Sequence, residues 1–109
     1  MAEQFNQLTP SQAERLFYML EELGEAQQAI GKILRHGYAS YDTTKVERVG
    51  EHQTPFYPPN NRSNLESELG DVARAVRMLT AAGDLSRDRL DALEGKAPPL
   101  KYMHHQNAA

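Results

Sequence analysis

Two short acidic runs, Glu22-Leu23-Gly24-Glu25 and Glu68-Leu69-Gly70-Asp71, each set two carboxylates three residues apart. On an α-helix that spacing places both side chains of a run on one face. Two such faces brought together make a four-carboxylate cluster of Glu22, Glu25, Glu68 and Asp71. A donor set made only of oxygens suits a hard cation, so magnesium, with manganese as a possible substitute, is preferred over zinc. Coordination positions left over would take water and phosphate oxygens, and the implied ligand is a phosphate-bearing molecule. The chain contains no cysteine, which removes thiolate zinc sites, disulfides and cysteine nucleophiles.

Helices must carry these acids, and the sequence marks where they begin and end. Thr9-Pro10-Ser11-Gln12 supplies an N-cap threonine, a proline at the first helical position and a glutamine at the third, the pattern of a capping box. Ala13, Leu16, Phe17, Leu20, Leu23, Ile30 and Leu34 then recur at helical spacing until Gly37, about seven turns later. From 36 to 62 the period fails among tyrosines, prolines and asparagines, and a long loop is expected. A loop of this length is either a lid or binding loop, or a disordered insertion. Ser63-Asn64-Leu65-Glu66 reads as a second capping box, with Glu66 as partner of Ser63. A second helix carries Leu65, Leu69, Val72, Ala73, Val76 and Leu79 towards Gly83. Asp84 or Ser86 then caps a short third helix through Leu90 and Leu93, which Gly95 and Pro98-Pro99 end. The fold class is all-α: one domain over 1–109, a hairpin of two long helices plus a short third, with a loose start (1–8) and a tail (97–109).

The acids sit where a surface would not put them. Advancing roughly 100° per residue, Glu68 falls between Ala75 and Leu79, Asp71 between Met78 and Ala82, and Glu22 between Ala29 and Ile33. Glu25 lies at the border beside Lys32, while Arg74, Arg77 and Ser67 occupy the opposite side of their helix. Charges on a solvated face gather away from the apolar arc; three of these four are inside it. Buried carboxylates take up protons, pair with bases or bind a cation, and with few bases nearby the cation is favoured. Gly24 and Gly70, mid-helix, each disfavour the helix by about 1 kcal/mol, which close helix approach at the cluster would explain. Apolar residues also cover more than half of the first helix's circumference, counting Met19, Ala26, Ala29 and Ile33. One hairpin partner cannot cover so wide an arc, so a second subunit is expected.

Composition narrows the classes further. At 109 residues a folded monomer buries a modest fraction of its surface. Twelve basic residues against fifteen acidic ones leave no basic stripe, which argues against nucleic acid as a ligand. No apolar run approaches the roughly 18 residues of a membrane span, and the polar start is not a signal peptide. Neither membrane insertion nor export is expected, and the location expected is cytoplasmic.

Glu21-Glu22-x-x-Glu25 followed by Glu68-x-x-Asp71 resembles the EExxE…ExxD signature of the all-α nucleoside triphosphate pyrophosphohydrolases. These are the MazG-like proteins, with dimeric dUTPases and phosphoribosyl-ATP pyrophosphohydrolases as relatives. The resemblance covers most of the chain outside the loop and the ends, and the segment between the two halves is longer here than is usual for the family. It implies a helical bundle of four-helix type completed by dimerisation, or by a dimer of dimers, with a magnesium site in each subunit. Glu22, Glu25, Glu68 and Asp71 would be the metal ligands. The implied reaction cleaves a nucleoside triphosphate between its α and β phosphates, giving a monophosphate and pyrophosphate. Glu21 and Glu25 are candidates to orient or deprotonate the attacking water, with base and ligand roles open between them. Lys32 would neutralise phosphate charge or remain a solvated lysine. Arg62, Lys96 and Lys101 lie near element ends, where they would close on phosphates or stay surface charges. Tyr38, Tyr41, Phe56 and Tyr57 would stack on a base or pack onto the bundle. The competing class is a non-catalytic helical interaction module with a structural cation.

Overall fold

A computed structural model describes residues 5–47, 50, 55–96, 98 and 100–106. Residues 1–4, 48, 49, 51–54 (with His52), 97, 99 and 107–109 lie outside them. The described residues form three helices, α1 (Pro10–His36), α2 (Asn61–Ala81) and α3 (Arg87–Glu94), with no strand. The expected all-α class and the two-long, one-short order are present. No helix is long and apolar enough to cross a membrane.

The start of α1 follows its sequence signal closely. Thr9 accepts a hydrogen bond from the Gln12 backbone N–H, and the Gln12 side chain accepts one from the Thr9 N–H, closing both halves of the capping box. Gly37 ends the helix with φ 88°, a conformation in which a side chain is strained. Its N–H donates to the Ile33 carbonyl at 2.7 Å.

The start of α2 differs from the expectation. Asn60, not Ser63, is the N-cap: its side chain accepts from the Ser63 N–H at 2.9 Å. Three further bonds explain the earlier start. The Asn61 and Arg62 backbone N–H groups donate to the Ser40 and Tyr38 carbonyls at 2.8 and 3.0 Å. The Asn61 side-chain amide donates to the Gly37 carbonyl at 3.1 Å. The first turn of α2 thus finds acceptors in the turn that leaves α1, and the N–H groups that would otherwise be orphaned are satisfied. Glu66 has no capping role and lies exposed.

These bonds also close the loop at its base, so residues 37–60 leave and return at one point. Within it are a single 3₁₀ turn, Thr43–Lys45, capped by Asp42, and an isolated antiparallel bridge between Glu47 and Phe56. The described part of the expected loop therefore carries some local order.

At the far end α2 stops in a Schellman arrangement, with Gly83 at φ 80° and the Asp84 N–H donating to the Leu79 carbonyl at 2.9 Å. Asp84 then pairs with Arg15 through two hydrogen bonds of 2.6 and 3.1 Å, tying this turn back to α1. Ser86 caps α3.

The α1–α2 seam is narrow. Ala26 and Ala29 of α1 and Ala75 and Leu79 of α2 are its fully buried apolar residues. Close approach is achieved by alanines, not glycines. A Cβ added at Gly24 or Gly70 would meet nothing within 4 Å, so the expected explanation of those two glycines does not hold within one chain. The main apolar stripe of α1 is not in this seam either: Leu16, Phe17, Leu20, Leu23, Ile30 and Leu34 are all exposed.

Candidate metal centre

The antiparallel seam fixes a register. Glu25, Lys32, Asn61 and Glu68 line one cleft, so both acidic runs reach the same level of the hairpin. One carboxylate oxygen from each of Glu22, Glu25, Glu68 and Asp71 lies within 4.8 Å of the others. Glu22 is buried, at 8% exposure; the other three are half-buried. One oxygen on Glu22 and one on Glu68 are fully buried without any hydrogen-bond partner.

The electrostatics follow from that crowding. Burial pushes the Glu22 carboxyl above its ordinary value, and the Glu25, Asp71, Glu68 and Glu21 carboxylates push it the same way. Glu68 is raised too, first by Glu25, close enough to share a proton with it, then by burial and by the charge of Asp71. The Asp71 carboxylate has a base that helical projection missed. Arg74 pairs with it at 3.1 Å, because a long side chain three residues on reaches back along the helix surface. The other three acids have no ion-pair partner among the described residues.

Every donor at the centre is a carboxylate oxygen, and two of those oxygens are buried and unpartnered. That chemistry fits a hard divalent cation, magnesium or manganese.

Two clefts adjoin the centre. The nearer, of about 290 Å³, is lined by Glu25, Glu68, Gln28, Lys32, Asn61 and Asn64 among others. The farther, of about 540 Å³, lies between the end of α1 and the loop, and shares Lys32, Asn61 and Asn64 with the first. Lys32 therefore stands at the junction, and Tyr41 lines the farther cleft. Glu21 is exposed and outside the four-acid group, though near enough to act on Glu22 electrostatically. Arg62, Tyr38, Lys96 and Lys101 line neither cleft. The Arg62 guanidinium lies over the Tyr38 ring, 5.0 Å from its centre, and Lys101 borders a shallow depression in the tail. Tyr41 packs edge-on against Tyr57, with ring centres 5.4 Å apart.

Sequence reasoning had passed over Gln28, Asn61 and Asn64. Their signal was present for Asn61 and Asn64, which follow Glu25 and Lys32 across the seam once the α2 start is placed at Asn60. No protein-family model, curated protein or solved structure matches the chain.

Proposed function

We propose that the chain is a divalent-cation-dependent nucleotide pyrophosphohydrolase of the MazG-like kind, cleaving a nucleoside triphosphate to a monophosphate and pyrophosphate. The observation that carries this reading is the pair of buried, unpartnered carboxylate oxygens on Glu22 and Glu68 inside the four-acid group. A cation held by the four acids would offset the charge buried there, and the adjoining cleft offers a phosphate chain a path past Lys32.

A bound magnesium supplies charge neutralisation at phosphate oxygens and makes nearby water more acidic. The side chains do the rest. Glu22, Glu68 and Asp71 would hold the cation, and Glu25, which lines the cleft, would add a donor and accept the proton of the attacking water. The water oxygen bonds to the α-phosphorus, the bond from that phosphorus to the bridging oxygen breaks, and pyrophosphate leaves. Glu21, exposed one turn before Glu25, is the second candidate acid for that proton, and Lys32 would offset phosphate charge as the bridging oxygen departs.

The working unit in this reading is a homodimer, or a dimer of dimers. What supports this is the apolar stripe of α1, Leu16, Phe17, Leu20, Leu23, Ile30 and Leu34, which α2 leaves exposed. A cytoplasmic location, where nucleoside triphosphates are held, belongs with the same reading.

A panel of canonical and modified nucleotides with magnesium, read by product identification, tests the activity. Pyrophosphate release is expected from at least one of them. Glu68→Gln should reduce it by more than the roughly 10–100-fold that disturbing a metal's supporting partners costs, with the helical signal intact. No pyrophosphate from any nucleotide, together with a magnesium-dependent rise in melting temperature that nucleotide does not extend, would instead identify a non-catalytic module with a structural cation.

A further inference from the structure

The two clefts beside the cluster differ in sign. The nearer is bounded by Glu25 and Glu68; the farther carries Lys32, Arg35 and Lys45 against the single carboxylate of Asp42. Among the described residues no carboxylate lies in ion-pair range of these three cations. Asp42 is already engaged, since one of its oxygens accepts both the Thr44 N–H at 3.0 Å and the Thr44 hydroxyl at 2.6 Å. The farther cleft is thus net positive. The first turn of α2 borders it through Asn61 and Asn64, and the positive end of that helix's dipole adds to the field.

The aromatic residues around the loop point away from a role in stacking. Tyr41 and Tyr57 pack on each other edge to face, and the Tyr38 ring is covered by Arg62. A nucleobase pocket is mostly apolar, with a few placed polar groups. This one carries three cations with hydroxyls and amides, and only Tyr41, Pro58 and Pro59 form its apolar wall.

We propose that the cleft between the end of α1 and the loop is the terminal-phosphate subsite. In it the β and γ phosphates, and after cleavage the inorganic pyrophosphate, lie among Lys32, Arg35 and Lys45. The inference rests on the hydrolase reading and gives the long loop its part in it. Lys32 stands where the two clefts meet, so the α-phosphate sits beside Glu25 and Glu68 while the more highly charged end of the substrate runs into the cationic cleft. The nucleoside then projects out of the loop side altogether. Base preference is set elsewhere, and the loop governs affinity for the leaving group.

Calorimetric titration of the full chain with inorganic pyrophosphate in magnesium buffer tests this directly, without turnover. The wild type should bind it, and Arg35→Ala/Lys45→Ala should weaken binding by about tenfold or more with its helical signal unchanged. In the nucleotide panel the same variant should raise KM alike for every base. Equal pyrophosphate affinity in wild type and variant, no binding by the wild type, or a changed order of base preference would overturn the assignment. Failure of the hydrolase reading looks different: pyrophosphate binding that depends on Arg35 and Lys45, with no nucleotide cleaved, leaves the subsite in place as a pyrophosphate site and removes the reaction.

Discussion

Glu22 is held against its own preference. It is 92% removed from solvent by its 8% exposure, has one unpartnered oxygen and faces three other carboxylates. The consequence for stability has a definite sign. Glu22 and Glu68 have folded-state values above their ordinary 4.5, so the folded chain holds protons that the unfolded chain has released. Their contribution is fully favourable below that ordinary value and is lost as pH rises through the raised one. Asp84 acts oppositely: its hydrogen bond with Arg15, against a smaller effect of burial, lowers it below its ordinary 3.8. The stability it adds is present above 3.8 and lost only as pH falls through the lowered value. The two windows do not overlap, so melts run upward from about pH 5 in a chelator separate the acidic cluster from Asp84. Melting temperature should fall across that range in the wild type, and the fall should be shallower in Glu22→Gln, which should melt higher at neutral pH. Added magnesium should raise the wild type and leave the variant nearly unmoved. A Glu22→Gln chain that melts lower than wild type in chelator would show that the cluster is not under this strain. The four acids were legible because their spacing and their apolar neighbours are both periodic. The Arg74 partner of Asp71 was not, since projection onto a helix face ignores how far a guanidinium reaches along it.

Where an element begins decides what lies opposite what. Helix α1 was legible to the residue at its start, because Thr9, Pro10 and Gln12 act locally. Helix α2 was expected to start at Ser63, and long-range bonds move its cap to Asn60: the carbonyls of Gly37, Tyr38 and Ser40 take up the amides of Asn61 and Arg62. No local pattern encodes that choice. It matters for the site, since the same turn brings Asn61 and Asn64 to the clefts and sets Glu68 against Glu25. Asn60→Ala should therefore destabilise the chain by about 1 kcal/mol, whereas Ser63→Ala should be close to neutral. Urea unfolding of the two variants measures both. The reverse order would restore Ser63 as the cap and shift the α2 start towards it.

The hairpin alone has a small core: its buried apolar residues are three alanines and Leu79. What α1 leaves open is patterned. Ala13, Leu16, Leu20, Leu23, Gln27, Ile30 and Leu34 alternate in steps of three and four, the seam of a coiled coil. It lies roughly a third of a turn from the face that meets α2. Its leucines and isoleucine are 43–82% exposed, and a groove along its flank runs past Gly24 and Gly31, where another helix has room to approach. The sequence showed an apolar arc too wide for one partner; which part α2 would take was not legible, because both parts are apolar and only the paired acids distinguish them. In the proposed dimer a second copy of the chain would close the seam with one surface on each side, and the polar Gln27 in mid-seam would be suited to fixing its register. Sedimentation of the wild type at about 50 μM should give a dimer or a multiple of it. Leu20→Glu/Ile30→Glu should shift the chain to monomer and lower its melting temperature, while Leu100→Glu, outside the seam, should leave the assembly unchanged. A wild type that sediments as a monomer at that concentration would remove the second copy from the seam, and with it the dimeric bundle.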